Sequence, residues 1–500
     1  MKPESSRSSA TSGSIASSAL YLRPMGPTVL VPARASRTRV RFGDLALALF
    51  AFVAIAGAHA VVRAQSLPST VRYELSNGLH VVLDPLPGRD TVTVLVSVDV
   101  GRRDQPDGWT GLAHLTEHLL FRGTAAAPGD VSSRLDAWGA IEHNGETSDD
   151  FTRYYEVVPR GALERVLWLE AERLAHGMDA VDDAAVEQQR RVVDRERELR
   201  TWGREAVWDL VLGLLYPAGH PYSRALERRD DVQAIRATHV HSFFQRHYVP
   251  ARITLVVSGG FDPDPTRAWI ERYFAPLRPA GAATPPPIEV PPPVRFDGER
   301  RVLAEAQRAD DLLYVIWPSP PWGTASDAAL DFVASELEHR LEERIRVAGG
   351  ALSVDVRQDS GALCSTFEVV VTVPRGQGTL ASLEALDAEL ATMRETPMDA
   401  RVLDRWRTSF VEGEIMRLDD SLQRAQRLGQ RMPAFPGGYF DVGANLERYR
   451  AVTADATRDA AREWLPAGRR LVVSIASRRE APIEGRIISE LTLVDGEVRP

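Results

Sequence analysis

The stretch Gly111-Leu-Ala-His-Leu-Thr-Glu-His-Leu-Leu-Phe-Arg-Gly-Thr124 contains the pattern H-x-x-E-H at His114, Glu117 and His118. On an α-helix, residues four positions apart lie about 40° apart around the axis. His114 and His118 can therefore direct two imidazoles at one metal ion. Glu117 falls on the same side and can hold a metal-bound water, whose pKa zinc lowers to about 7. The stretch predicts a helix with the chemistry of a zinc hydrolase.

Leucines on the other side of this helix predict how it packs. Leu112, Leu115 and Leu119 recur at i, i+3 and i+7, which is the spacing of a stripe buried against a core. The five-residue pattern by itself leaves an alternative open, namely a helix with two partly exposed histidines and a solvated glutamate.

The first 64 residues have the composition of an export signal. Residues 1–33 are rich in Ser and Ala without hydrophobic periodicity, so we expect them to be disordered, with Met1 or Met25 as the start. Arginines then precede the apolar run Leu45–Ala58, and small residues follow, which predicts a secretory signal peptide cleaved after Ala64 or Ala60. The protein is expected in the periplasm or outside the cell, touching a membrane only through this segment if it stays uncleaved.

The charge balance argues against nucleic-acid binding. The formal net charge is −9, and residues 1–64 carry eight Lys/Arg against two Asp/Glu, so the mature chain is near −15. Such an acidic protein is a poor partner for nucleic acids. Cys364 is the only cysteine, which excludes an intrachain disulfide, and its alternating surroundings predict a buried structural thiol.

A proline-rich stretch divides the mature chain into two similar parts. Residues 276–297 contain PAGAATPPP and VPPPV and predict a semi-rigid linker between domains at 65–275 and 298–500. The predicted strands are Val71–Leu83, Val92–Val100, Phe151–Val158 and Ile253–Ser258 in the first part, and Arg301–Ala306, Leu312–Trp317, Cys364–Val373 and Leu471–Ile475 in the second. The first helix of each part is predicted at Trp109–Phe121 and Ala325–Val347.

The shared order of these elements suggests an ancient duplication. It predicts an α+β fold of two similar domains, each a mainly antiparallel sheet with helices packed on one face, enclosing a cleft between them.

Five stretches between Val71 and Ala476 follow the order typical of one metallopeptidase family. They are Leu75–Leu83, Gly111–Thr124, Gly139–Thr147 with Thr152–Tyr155, His220–Tyr222 and Val256–Asp262. The chain thus resembles the M16 (pitrilysin or insulinase-like) zinc metallopeptidases, in particular the small two-domain bacterial members and the mitochondrial processing peptidase subunits. The resemblance implies an endopeptidase that holds one zinc ion per chain.

The resemblance also implies a third metal ligand. Zinc bound by two histidines needs one more protein donor and an open position for water. The family pattern fits Gln189-Arg-Arg-Val-Val-Asp-Arg-Glu196, which makes Glu196 the ligand; the alternative is a charge on a solvated helix. Gln189 departs from the family, whose members usually carry a second Glu there to support the metal site. Gln keeps the hydrogen bonding and loses the charge.

A substrate-binding strand is implied at the edge of the cleft. Asn144, Gly145 and Thr147 resemble the strand along which family substrates lie, and an extended peptide can add there through main-chain hydrogen bonds. Asn144 would orient the substrate near the metal. The alternative interpretation is a simple turn before a strand. His143 is expected to be a surface or structural residue.

The second part of the chain matches the family less well. Members that work alone supply an Arg and a Tyr there, which bind the substrate and its developing oxyanion. Arg346 matches the Arg and is the second candidate catalytic residue, with a structural role as the alternative. Leu352 stands where the Tyr is expected and cannot donate a hydrogen bond. Losing one such donor costs about 10²- to 10³-fold in rate.

Two functions from different classes follow. The first is an exported zinc endopeptidase with Glu117 as general base, working on peptides either as a homodimer or as the zinc-bearing subunit beside a related M16-like partner. The second is a non-catalytic assembly or binding subunit that keeps the fold. The intact histidine and glutamate pattern favours the first.

Overall fold

The computed structural model describes residues 70–201, 211–217, 219–224, 227–277, 290–306, 309–433, 435–476, 487–494 and 497–499. The predicted signal peptide and most of the predicted linker lie outside these ranges, so the domain boundaries at 65–275 and 298–500 stay predictions.

The first half of the described chain forms a six-stranded sheet. In chain order its elements are β1 Val71–Glu74, β2 His80–Pro85, β3 Thr91–Val98, α1 Leu112–Leu119, α2 Val131–Ala137, β4 Glu142–Thr147, β5 Thr152–Pro159, α3 Leu163–His176, α4 Asp183–Thr201, α5 Arg229–Ala234, α6 Ala237–His247, β6 Ile253–Gly259 and α7 Pro263–Phe274. The strand order is β1-β2-β6-β3-β5-β4, and all neighbours are antiparallel except β2 and β6.

The second half forms a seven-stranded sheet. Its elements are β7 Arg300–Ala306, β8 Asp310–Ser319, α8 Ala325–Leu341, a π-helical turn at Glu342–Arg346, β9 Ser353–Asp359, β10 Ser365–Pro374, α9 Leu380–Glu395, α10 Ala400–Arg417, α11 Ser421–Leu428, α12 Val442–Arg450, α13 Ala454–Trp464, β11 Leu471–Ala476, β12 Ile487–Val494 and β13 Glu497–Arg499. The strand order is β13-β12-β7-β11-β8-β10-β9.

The two sheets repeat one arrangement of strands. The order β2-β6-β3-β5-β4 of the first sheet corresponds to β7-β11-β8-β10-β9 of the second, and the helices between them follow in the same sequence. The predicted α+β class, with two similar and mainly antiparallel sheets, is confirmed. The helices predicted at Trp109–Phe121 and Ala325–Val347 are shorter than expected, and the second one ends in the π-helical turn.

Strand β3 is buried along both of its faces from Val92 to Val98. Val94 and Val96 face the core that contains α1, while Leu95 faces a second cluster with Ala425 and Leu428 of α11. The same face carries Thr93, whose hydroxyl lies 2.8 Å from the Ser421 hydroxyl of α11. The strand therefore alternates between apolar and polar side chains, and both of its faces are covered. The cover on the second face is supplied by the other half of the chain.

The first half in turn covers one face of the second sheet. Val211, Leu215 and Tyr222 lie between α4 and α5, and they pack with Tyr314 and Ile316 of β8 in the second sheet. Each half therefore packs one of its segments against the sheet of the other half. A buried ion pair accompanies the first contact, because Arg424 Nη2 of α11 donates to Asp84 Oδ1 of β2 at 2.8 Å.

Candidate metal centre

Helix α1 is anchored by its apolar side. Leu112, Leu115 and Leu119 are all buried in the first core, as predicted from their spacing. The helix starts after Gly111, whose φ of +89° is left-handed, and a Cβ at this position would lie 2.5 Å from Val232 Cγ2. Glycine is required there because a side chain would be strained and would collide with α5. The opposite side of α1 is thereby held in a fixed position.

Three donor atoms converge beside α1. The Nε2 atoms of His114 and His118 are 3.1 Å apart, and Glu196 Oε2 from α4 lies 3.5 Å from each of them. Within the described residues this is the one group of three or more His, Cys, Asp or Glu side chains whose donor atoms approach closely enough for a metal ion. The structure thus brings together two histidines from one helix and a carboxylate that is 78 positions further along the chain.

The triangle has the dimensions that zinc requires. Zinc binds nitrogen and carboxylate oxygen at about 2.0–2.2 Å in tetrahedral geometry, which separates neighbouring donor atoms by about 3.3–3.5 Å. The observed edges of 3.1, 3.5 and 3.5 Å bracket that range. Two imidazoles and one carboxylate leave the fourth tetrahedral position open, which is the composition of a catalytic rather than a structural zinc site.

Glu117 lies next to this triangle and is held by strand β4. Thr147 Oγ1 donates a 2.6 Å hydrogen bond to Glu117 Oε2. A Cβ at Gly145 would lie 2.7 Å from Glu117 Oε1 and 2.8 Å from a ring carbon of Phe121. Glycine at 145 therefore permits the carboxylate to lie directly against the strand. One oxygen is fixed by a hydrogen bond while the other faces the backbone of β4.

The electrostatics of the site favour positive charge. Burial would lower the pKa of His118, but the neighbouring carboxylates, Glu196 foremost, outweigh it and the pKa is raised. The attraction that would hold a proton on this ring would also hold a metal cation. Side chains of His114, His118 and Glu196 are at most 13% exposed, so this field is weakly screened by water.

One functional candidate escaped the sequence analysis. Glu227 Oε1 lies 3.2 Å from His114 Nδ1, the ring nitrogen that does not face the metal triangle. The family resemblance predicts a supporting carboxylate at 189, where the chain has Gln. Among the described residues, no hydrogen bond or ion pair joins Gln189 to His114, His118 or Glu196. The only available signal for Glu227 was its place five residues after the family landmark at His220–Tyr222.

Strand β4 separates the predicted substrate residues onto two faces. Gly145 and Thr147 contact Glu117, whereas Asn144 lies on the opposite face and hydrogen-bonds Tyr155. Asn144 is therefore not beside the triangle. β4 is the last strand in the described order of its sheet, so its outer edge can accept an added strand. His143 contacts Asp136 at 2.9 Å, which agrees with the predicted structural role.

The second-half candidates are exposed and lie between α8 and β9. Arg346 ends the π-helical turn and pairs with Glu342. Leu352 is 53% exposed, and its backbone N–H donates to Thr372 O. Among the described contacts, none joins Arg346 to the metal triangle. Within the described residues, no helix is both long and apolar enough to cross a membrane.

Two family models match the chain. The model described as insulinase (peptidase family M16) matches residues 80–207, which include all three donors of the triangle, and the model described as peptidase M16 inactive domain matches residues 234–410. An uncharacterized zinc protease of Mycobacterium leprae is 30% identical over 433 residues, which cover 83% of this chain and 94% of that protein.

Solved structures share the fold. The crystal structure of a protease from Helicobacter pylori matches with a TM-score of 0.73 at 21% identity, covering 82% of this chain and all of the other. The first half of the periplasmic protease PqqL from Escherichia coli matches with a TM-score of 0.66 at 19% identity, covering 82% and 92%. At these identities the likeness supports the two-sheet architecture alone.

Proposed function

Because the chain belongs to peptidase family M16, we propose that it is a zinc-dependent endopeptidase whose metal ligands are His114, His118 and Glu196. The observation that carries the proposal is the donor triangle, with edges of 3.1, 3.5 and 3.5 Å, beside a glutamate that is held in place. One zinc ion per chain would occupy it. When bound, zinc polarises a carbonyl and acidifies a water molecule.

The side chains divide the remaining work. Glu117 takes the proton of the attacking water and passes it to the leaving amine. Thr147 keeps the Glu117 carboxylate in place through its 2.6 Å hydrogen bond. The peptide binds as an added strand along the free edge of β4, where main-chain hydrogen bonds hold it irrespective of much of its sequence. Gly145 keeps the approach to the carboxylate open.

The proposal extends to location and partner. The signal peptide predicted at 1–64 would export the chain to the periplasm or the cell exterior. Leu352 cannot donate a hydrogen bond, so a second M16-like chain would supply the missing oxyanion donor, and this chain would be the zinc-bearing subunit of a heterodimer. Co-purification from the native cell tests this point. Full activity of the pure chain without a related partner would overturn the heterodimer.

The peptidase proposal is tested by zinc content and hydrolysis together. We expect about one zinc per chain in the wild type and in Glu117→Gln, with kcat lowered about 10²- to 10⁴-fold in the variant. Glu412→Gln is the matched control, since Glu412 is an exposed glutamate on α10 of the second half. A wild type without zinc, or equal hydrolysis by wild type and Glu117→Gln, would overturn the proposal in favour of a non-catalytic assembly subunit.

A further inference from the structure

We infer that Glu227 is a positioning residue for the metal centre, holding His114 in the tautomer and orientation that turn Nε2 toward His118 and Glu196. The inference rests on the proposed function, since it concerns how His114 would bind zinc. It adds a residue from the segment before α5 to a site otherwise built from α1 and α4.

The tautomer of His114 requires an acceptor at Nδ1. A neutral imidazole carries one N–H and one lone pair. If Nε2 offers its lone pair to a metal, the proton must lie on Nδ1. The His114 side chain is 7% exposed, so water cannot easily satisfy this N–H, and leaving a buried donor without an acceptor is unfavourable. Glu227 Oε1 lies 3.2 Å from Nδ1, which makes no hydrogen bond in the described structure, so a small rotation of the ring would align the two as donor and acceptor.

The Glu227 carboxylate is itself fixed and charge-balanced. Arg102 Nε lies 3.8 Å from Glu227 Oε1, and Arg102 Nη1 lies 3.5 Å from Asp149 Oδ1 in the turn after β4. The guanidinium places a compensating positive charge beside the carboxylate oxygen that faces His114. Arg102 thus ties the support of His114 to the same hairpin that supports Glu117.

The backbone beside Glu227 is attached to the start of α1. The N–H of Arg228 donates to Thr110 Oγ1 at 2.8 Å, and Thr110 Oγ1 donates to Asp231 Oδ2 at 2.8 Å. Thr110 immediately precedes Gly111, which begins the helix that carries His114. The distance between the carboxylate and the imidazole is therefore set by short bonds between neighbouring segments.

Glu227 acts through His114 and not on a substrate. It approaches Nδ1, while Nε2 faces the triangle, so the ring lies between Glu227 and the metal position. Carboxylates in this arrangement raise the basicity of the ligand and restrict rotation of its ring, and removing them weakens metal affinity about 10- to 100-fold.

Zinc affinity of the full chain tests the inference. Dissociation constants would be measured by chelator competition for wild type, Glu227→Gln, Glu227→Ala and Asp230→Asn. We expect about tenfold weaker binding for Gln, which still accepts a hydrogen bond, and about 100-fold weaker binding for Ala. Asp230→Asn, which removes an exposed acid three positions away, should bind like the wild type. The metal-free forms of wild type and Glu227→Gln should unfold at the same temperature.

The outcomes separate this inference from the proposed function. A wild type that binds no zinc overturns the proposed function itself. A wild type that binds zinc, with equal affinity in Glu227→Gln, overturns only the role of Glu227. An equal loss of zinc affinity in Asp230→Asn would mean that any nearby negative charge has this effect, and it would also overturn the specific role of Glu227.

Histidine ring ¹⁵N NMR of the wild type gives an answer that needs no variant. With cadmium or zinc bound, we expect His114 to carry its proton on Nδ1 and to coordinate through Nε2. Coordination through Nδ1, or a proton on Nε2, would overturn the inference even if the variants fail to fold.

Discussion

The first and second halves of the chain share a strand order, but they treat buried polar groups differently. In the first half, His114 and Glu196 bring their donor atoms within 3.5 Å of each other and of His118, next to Glu117. In the second half, the equivalent helix α8 also carries buried acids, Asp327 and Glu336. The difference lies in what faces those acids.

The acids of α8 are satisfied by donors from their own half. Asp327 pairs with Arg448 of α12, and Glu336 accepts from Arg340 Nε at 2.8 Å and from Trp406 Nε1 at 3.1 Å. These contacts stabilise the core and leave no converging lone pairs for a cation. His339 is the only histidine after residue 298, and it lies 44% exposed beside Glu343.

The comparison separates the scaffold from the chemistry. Burial of apolar strands is enough to produce the same sheet twice, whereas a metal centre requires that buried acids face imidazoles instead of guanidinium groups. A handful of side chains therefore makes one half a candidate enzyme site and the other its structural counterpart.

The largest expected effect comes from removing one histidine from each half in turn. His118→Ala removes one of the three proposed ligands, so zinc content should fall from about one per chain toward zero and hydrolysis should become undetectable. His339→Ala, the matched change in the second half, should leave both unchanged. Metal analysis and a peptide assay on the two variants provide the measurement. Equal zinc content in both would remove the functional distinction between the halves.

The next largest effect concerns the contact of α11 with the first sheet. Arg424→Ala leaves the carboxylate of Asp84 buried without its guanidinium, which should lower the free energy of unfolding by about 3–5 kcal/mol. Arg401→Ala on α10 removes an exposed arginine and should change it by less than about 1 kcal/mol. Urea unfolding of both variants provides the measurement. Similar losses of unfolding free energy would mean that the contact of α11 with the first sheet contributes little to stability.

A smaller effect is expected at the reciprocal contact. Tyr222 donates to Asp150 at 2.7 Å and accepts from the backbone N–H of Leu363 in the second half at 3.0 Å. Tyr222→Phe should lower the free energy of unfolding by about 1–3 kcal/mol, because a buried carboxylate and a buried N–H each lose a partner. Tyr273→Phe is the control. Its hydroxyl donates to Glu164 near the surface, and a change within about 0.5 kcal/mol is expected there.

Local patterns of the sequence were sufficient to predict most helices and strands, but not the contacts between the two halves. The leucine stripe of α1 and the alternation in β5 and β10 follow from period, so their positions could be predicted. The contact of Leu95 with Ala425 and Leu428 could not be predicted, because the pattern of β3 does not indicate which distant residues cover its second face. Strands β12 and β13 were not predicted. Helix α1 was predicted too long at its start, because Gly111 adopts the left-handed conformation and the helix begins only at Leu112.

The candidate metal centre shows the same limit to what local sequence patterns can predict. His114, Glu117 and His118 follow from helical spacing, and Glu196 needed the family resemblance, since 78 residues separate it from His118. Support for the metal site was expected on α4 at Gln189, whereas the structure places Glu227 against Nδ1 of His114. No periodicity connects residues 114 and 227, so only the packing of the segment before α5 against α1 reveals the contact.

The smallest change in stability near neutral pH is expected at Cys364, which packs where the first half contacts the second sheet. Burial raises the pKa of the Cys364 thiol to about 12 from an ordinary value near 9. Below pH 9 the thiol is protonated in both folded and unfolded chains, so its titration contributes nothing to the pH dependence of unfolding. Between pH 9 and 12 only the unfolded chain loses the proton, so stability should fall with rising pH, by up to about 1.4 kcal/mol per pH unit.

Alkylation of this single thiol therefore reports on the contact between the halves. At pH 8, iodoacetamide should modify native wild type far more slowly than urea-unfolded protein, because the reactive thiolate is suppressed and the sulfur is buried. Arg424→Ala weakens the other contact between the halves. If the two contacts open together, it should accelerate labelling about tenfold for each 1.4 kcal/mol of stability lost. Unchanged labelling in that variant would show that the two contacts open independently. The contact at Tyr222 would then stay closed while the contact of α11 with the first sheet opens.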